Sequence, residues 1–542
     1  MRMSLRKLVI LLTAAVGFGG AASARAASLG EIESAYADFN DASGAIGLIE
    51  SGLRDSHEGR TRSEWQRLQE DARNQVTAGL KDLADRDLSA ADRRAVEIMR
   101  RSMADAAEQG SLAPVGKCED AQRKDIEYLA LREALYACFG ALSNSLDFEG
   151  EKVTRVGAFD LLTRMKEPER RKKLFLTFVP LWQAINGKSE RDSPYRRIVA
   201  MAAERGRKDG TEIDAAAKTV GASTADVETW LVQVLDAWRK ASGDTMMEPW
   251  DYRYVGGATE RELGDAIARE AMQPINERYY SDLGASLGAW NVIYDLDPRA
   301  GKAPLAYTDY VKRGRTRSGK WDPTLVRVSG NYAHGGLGLI NELVHENGHV
   351  VHMMALHTRP AFMDLGDPLF YEAFADVPSW STYEPAWQQK YLGRSSAEES
   401  SLRALYSSVM LDVAWALFEL RMLRGPTQDP NAVWTEITSK YLHVKPHPEL
   451  SWWLVRVQLV HEPGYMVNYG LGAVVTADLR QRIAEQAGPF TTGNERWFPW
   501  LSEHLLSSGQ TQETAVLLRD FLGRPVSAQA LLTQIARIKK KN

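Results

Sequence analysis

One stretch constrains this chain more than any other: Leu343-Val344-His345-Glu346-Asn347-Gly348-His349-Val350-Val351-His352. Residues four apart share a helix face, so the spacing predicts that His345 and His349 aim both imidazoles at one point. Two neutral ring nitrogens on one face are half of a tetrahedral zinc site. Glu346 lies about 100° further round the helix. From there its carboxylate can reach a water held by such an ion and take its proton. Leu339, Ile340, Leu343, Val344, Val350, Val351 and Met354 make the helix apolar nearly all round, which is the pattern of a buried helix.

A site of this kind needs one more carboxylate from a second segment. Each ligating histidine also needs an acceptor for its other ring N–H. Phe370-Tyr371-Glu372-Ala373-Phe374-Ala375-Asp376-Val377 offers both, because Glu372 and Asp376 are four apart and share a face. Glu372 as third ligand and Asp376 as outer acceptor meets both needs. The reverse assignment also satisfies them, although Asp reaches less far. Phe370, Phe374 and Val377 make this segment too apolar for an exposed acidic helix.

Hydrolysis at a carbonyl builds negative charge on oxygen, which preorganised hydrogen-bond donors share with the metal. His461, Tyr465 and Tyr469 stand at four-residue intervals and are predicted on one helix face as such donors. Upstream, Leu325 to Ser329 has β character, and Gly330-Asn331-Tyr332 continues it. An edge strand beside a metal helix can pair with a peptide backbone. Gly330, Asn331 and Tyr332 are therefore candidate substrate-backbone residues, with a structural hairpin as the other reading.

Residues 1–26 read as a signal peptide. Arg2, Arg6 and Lys7 precede an apolar run, Leu8 to Gly20, too short to span a bilayer comfortably. Ala24-Arg25-Ala26 then fits a cleavage site. The expectation is an exported chain, periplasmic or extracellular, with no stable membrane association; an uncleaved anchor is the alternative. In an oxidising compartment Cys118 and Cys138 can bridge, or they remain two buried thiols. A net charge of −4 gives no reason to expect a nucleic-acid partner. From 27 to 248 the periodicity predicts successive helices. Ser223-Thr224-Ala225-Asp226 forms a capping box ahead of Val227, Trp230, Leu231, Val234, Leu235 and Trp238. Glycine and alternation become frequent between Pro249 and Gly338, predicting a small β-sheet beside the metal helix. The remainder is helical again. The chain thus reads as mainly α, with an N-terminal helical region, 27–248, and a catalytic region, 249–542, flanking one cleft. Nothing in the sequence specifies an oligomeric state.

Together these motifs resemble those of the helical zinc peptidases that include thimet oligopeptidase, oligoendopeptidase F, angiotensin-converting enzyme and the Taq-type carboxypeptidases. His345 to His352 is similar to their His-Glu-x-Gly-His helix, with the trailing His of the oligopeptidases. Phe370-Tyr371-Glu372-Ala373 resembles the Phe-x-Glu-Ala that carries their third ligand, and its continuation to Asp376-Val377 looks like the converting-enzyme version. Asp295-Leu296 with Arg299 to Lys302 is similar to an oligopeptidase strand segment. Gly464-Tyr465 through Tyr469 to Gly472 is similar to the Taq-type pattern. Gly472 stands where the oligopeptidases carry a further Tyr, which leaves open whether Tyr465 or Tyr469 holds the oxyanion. His461 is one residue nearer the tyrosines than in those families.

The resemblance implies a helical ellipsoid split by a deep channel, with one zinc per chain at its floor and peptides as substrates. The activity it implies is hydrolysis of peptide bonds in oligopeptides through a zinc-bound water, with Glu346 as general base. A carboxypeptidase or dipeptidyl carboxypeptidase of the same fold is a second reading. Its cation for a terminal carboxylate would be sought among Arg327, Lys445 and Arg456. A non-catalytic peptide-binding protein is the reading from another class.

Overall fold

The computed structural model describes residues 27–83, 88–110, 116–299, 302 and 305–538. The signal-peptide expectation for 1–26 lies outside these residues, as do Ala300 and Gly301 of the strand-like motif.

Helices dominate. Local signals set where they start: the Ser223 hydroxyl accepts the Asp226 N–H, and the Asp226 carboxylate accepts the Ser223 N–H in return. That helix, Thr224–Ser242, buries Val227, Leu231, Val234, Leu235 and Trp238 on one face. Leu29–Glu50, Arg62–Asp82 and Ala90–Gly110 build a core of their own around Ile32, Tyr36, Val76, Leu80 and Met99. It meets the rest of the chain at Ala361 and Phe362. A larger apolar core runs from Ala121 to Ile538. Cys118 and Cys138 form a disulfide that ties the short helix Cys118–Ala121 to Tyr128–Ser143. Among the described residues, no helix is long and apolar enough to cross a membrane.

The β-texture expected from Pro249 begins only at Val292; Tyr252–Gly256, Ala258–Leu263 and Arg269–Asp282 are helices. A three-stranded sheet follows. Leu325–Ser329 is its middle strand, parallel to Val292–Asp295 and antiparallel to Tyr307–Lys312. This corrects the expectation of an edge strand near Val328. With neighbours on both sides, Val326 and Val328 are fully buried, and the middle strand has no free edge for a peptide. The backbone of Gly330 and Tyr332 is already used as well. Gly330 N–H donates to Asp295 O, Tyr332 N–H donates to Leu296 O, and Tyr332 O accepts from Arg269 Nε. The outer strand beside the HExxH helix is Tyr307–Lys312. Helix Leu29–Glu50 presses so close to it that a Cβ on Gly44 would lie 2.4 Å from Val311 O.

The HExxH helix is Leu337–Ala355, buried along most of its length. The Glu260 carboxylate accepts the Gly338 N–H at 2.6 Å and so satisfies one free donor at its start. The next helix, Pro368–Ser379, packs across it.

Candidate active site

His345 and His349 sit one turn apart, ring centroids 4.9 Å from each other and planes at 88°. Glu372 reaches them from Pro368–Ser379, a helix that Asp367 caps by accepting the Leu369 N–H. Glu372 Oε2 lies 3.3 Å from His345 Nε2 and 3.9 Å from His349 Nε2. One ligand atom from each of the three falls within 4.8 Å of the other two. Among the described residues this is the one such group of three.

The donor set fits zinc. Atoms bound tetrahedrally at about 2.0–2.1 Å lie roughly 3.4 Å apart, close to the separations above. Two imidazoles and a carboxylate match the N/O preference of that ion. His345 Nδ1 donates to Asp376 Oδ1 at 2.7 Å, so Nε2 is the ring nitrogen that faces Glu372. Ser379 Oγ donates to the same Asp376 oxygen at 3.1 Å. Glu372 therefore faces both Nε2 atoms, whereas Asp376 meets only Nδ1 of His345. Among the described residues, the Nδ1 of His349 is buried without a hydrogen-bond partner.

Burial opposes charge on His345, but Asp376 and Glu372 outweigh it and hold this imidazole well above its ordinary value. Burial, aided by the charge on His345, drives His349 well below. A bound dication would discharge the proton on His345, since ligands bind in deprotonated form. Burial pushes Glu346 up to about 8, against the pull of His345 and the Thr308 hydroxyl. Thr308 Oγ1 stands 2.7 Å from Glu346 Oε2 and 3.0 Å from Glu346 O. Burial thus makes this carboxylate more basic, the direction a general base requires.

Tyr465 and Tyr469 both donate toward Glu372 Oε1, at 3.3 and 3.4 Å, with rings 5.8 Å apart. Burial and the Glu372 charge raise both phenols, so they are neutral donors. Tyr371 joins them, its hydroxyl 3.3 Å from that of Tyr465.

His461 is not with the tyrosines, which corrects the expectation of one helix face. The helix Gln458–His461 ends at Glu462, and the next turn, Val467–Gly470, starts beyond Pro463 and Gly464. Gly464 has φ +103°, a conformation that favours glycine and breaks the four-residue periodicity. His461 Nε2 instead lies 3.4 Å from Glu133 Oε1, and its ring packs on Tyr136 at 4.7 Å.

Of the three cations considered, Arg327 lines the site cavity. It donates to Asp309 Oδ2 and Gly47 O. Lys445 pairs with Glu248, and Arg456 pairs with Asp412 while its guanidinium lies 5.3 Å from the Tyr469 ring centre.

The site cavity measures about 600 Å³. Its walls include His345, Glu346, His349, Tyr371, Glu372 and Tyr469, the strand residues Thr308 to Val311, and Ser43, Gly44 and Gly47 of the first helix. A second cavity of about 1180 Å³ shares Ser43, Asp364 and Leu365 with it and is walled partly by the first three helices. Sequence reasoning missed Thr308 and Tyr371. Tyr371 lay inside the third-ligand motif; no local pattern marks Thr308.

The fold is similar to that of a solved M32 carboxypeptidase from Deinococcus radiodurans R1, with a TM-score of 0.56 and 16% identity over 94% of this chain and 97% of that one. Residues 284–537 match the sequence profile of Peptidase family M3. That segment carries the His–His–Glu group, Glu346 and both tyrosines. This chain is a helical zinc metallopeptidase. No curated protein matches it by sequence. Peptidases of these two families depend on zinc, and peptides are their substrates. The identification removes the non-catalytic alternative and agrees with the mainly α fold expected for the peptidase.

Proposed function

We propose that this peptidase is an exported enzyme that hydrolyses peptide bonds within oligopeptides, with one zinc per chain held by His345, His349 and Glu372. The observation that carries the reading is the convergence of those three side chains in the cavity that Glu346 also lines, with the hydroxyls of Tyr465 and Tyr469 both on Glu372 Oε1. When bound, zinc supplies Lewis-acid polarisation of the scissile carbonyl and activation of water. Asp376 fixes the tautomer and angle of the His345 ring. Glu346 Oε2, oriented by Thr308, takes a proton from the attacking water and passes it to the leaving amine. Tyr465 and Tyr469 donate hydrogen bonds to the carbonyl oxygen as its charge grows. The Tyr307–Asp309 end of the outer strand, which lines the cavity and lies outside the Gly44 contact at Tyr310 and Val311, aligns the peptide backbone. The regions 27–248 and 249–542 flank one cleft, a reading supported by cavity walls drawn from both. That enclosure favours flexible peptides over folded proteins. Export is supported by the signal-like residues 1–26 and by the disulfide, which suits an oxidising compartment.

A carboxypeptidase or dipeptidyl carboxypeptidase is the second reading, favoured by the likeness to the M32 carboxypeptidase and by Arg327 in the cavity wall. One experiment separates the two. An N-acetylated and a C-amidated peptide are digested with and without chelator, and the fragments are weighed by mass spectrometry. Internal cleavage of both, abolished by chelator, is the expected result. Failure on the amide alone would replace the endopeptidase reading with the carboxypeptidase one.

A further inference from the structure

The long helix Glu398–Arg424 carries a carboxylate that the reaction itself does not use. Glu419 is buried in the interior, and among the described residues it forms no ion pair. Its two oxygens accept two backbone N–H groups: Gly464 N–H donates to Oε1 and Met466 N–H donates to Oε2, each at 2.8 Å. These are the residues on either side of Tyr465. They lie in the break between Gln458–His461 and Val467–Gly470, where no helix supplies an acceptor for those N–H groups. One turn further on, Gly470 meets the same long helix so closely that a Cβ would stand 2.6 Å from Ala416 Cβ and 3.0 Å from Asp412 O. The long helix therefore grips the tyrosine segment at both ends. Between the grips, Tyr465 places its hydroxyl 3.3 Å from Glu372 Oε1.

We propose that Glu419 is a positioning residue that sets the Tyr465 hydroxyl for catalysis through the backbone on either side of it; this rests on the peptidase reading above, in which that hydroxyl donates to the reacting oxygen. A carboxylate suits the task because it offers two acceptors at a fixed spacing. An amide at the same place keeps one acceptor and turns an NH₂ against the other N–H.

The test uses the full chain, zinc-loaded, on a quenched fluorescent peptide. Glu419→Gln is expected to lower kcat about tenfold, since small misplacements of an aligned group are costly. KM, zinc content and melting temperature stay near wild type. Tyr465→Phe alone is expected to lower kcat about 100-fold. Adding Glu419→Gln to it changes kcat less than about twofold, because the two act through one hydroxyl. Gly464→Ala, which strains the same turn, gives the same kcat-only loss and the same non-additivity, and it serves should Glu419→Gln fold poorly. Unchanged kcat in both turn variants, or a loss that persists in full without the Tyr465 hydroxyl, overturns the proposal. Wild-type turnover in Tyr465→Phe alone overturns the donor role of Tyr465 and the proposal with it. Loss of all hydrolysis by wild-type enzyme under these conditions would instead fault the peptidase reading itself.

Discussion

Gly348 and Ala375 lie backbone to backbone: a Cβ on Gly348 would stand 2.7 Å from Ala375 Cα and 2.9 Å from its carbonyl oxygen. Two helices meet this closely only where one of them has no side chain. The contact sits between His345 and His349 on one helix, and three residues past Glu372 on the other. It fixes how far Glu372 Oε2 stands from both imidazoles.

Gly348→Ala must push the helices apart. Overpacking costs about 1–3 kcal/mol, partly offset by about 1 kcal/mol of helix propensity. The larger effect is expected on the metal, with zinc affinity reduced about tenfold or more as Glu372 withdraws. Competition against a chromogenic chelator measures this; unchanged affinity would show that Glu372 follows the histidines by another route.

Glu346→Gln keeps the size of the side chain and removes its basicity. Turnover is expected to fall by roughly 10²–10⁴, with zinc content at wild-type stoichiometry. Steady-state kinetics alongside elemental analysis checks both. Wild-type rates would take Glu346 out of the mechanism.

Asp376→Asn removes the anion that accepts the His345 Nδ1–H at 2.7 Å. Outer partners of this kind typically contribute about 10–100-fold in metal affinity. The variant is expected to lose zinc at a chelator concentration that leaves wild type loaded. Equal retention would reduce Asp376 to a structural part.

His352 lies buried edge-on to Phe370 and Phe374, and burial lowers it to about 3. Its folded value is below its unfolded value near 6.5, so the unfolded chain takes up the proton first. Its effect is absent above pH 6.5. As pH falls from there toward 3, it removes stability by up to about 1.4 kcal/mol per pH unit. His352→Leu is expected to flatten that acid limb in urea unfolding of the zinc-free protein from pH 7 to 5. Parallel limbs for variant and wild type would refute this.

What the sequence determined is what depends on spacing along one element. Four-residue intervals put His345 with His349, and Glu372 with Asp376, because a helix repeats every 3.6 residues whatever surrounds it. The capping box at Ser223 and the buried stripe after it are local for the same reason. The tertiary structure decided what depends on neighbours distant in sequence. Leu325–Ser329 alternates like an edge strand, but pairing with Val292–Asp295 makes it the middle one. His461 keeps the interval of the tyrosines, yet Pro463 and Gly464 end the helix and leave it to Glu133. Thr308, with nothing in its own segment to mark it, meets Glu346 because the outer strand lies along the HExxH helix. Periodicity sets which side chains share a face; only the packed chain sets what that face meets.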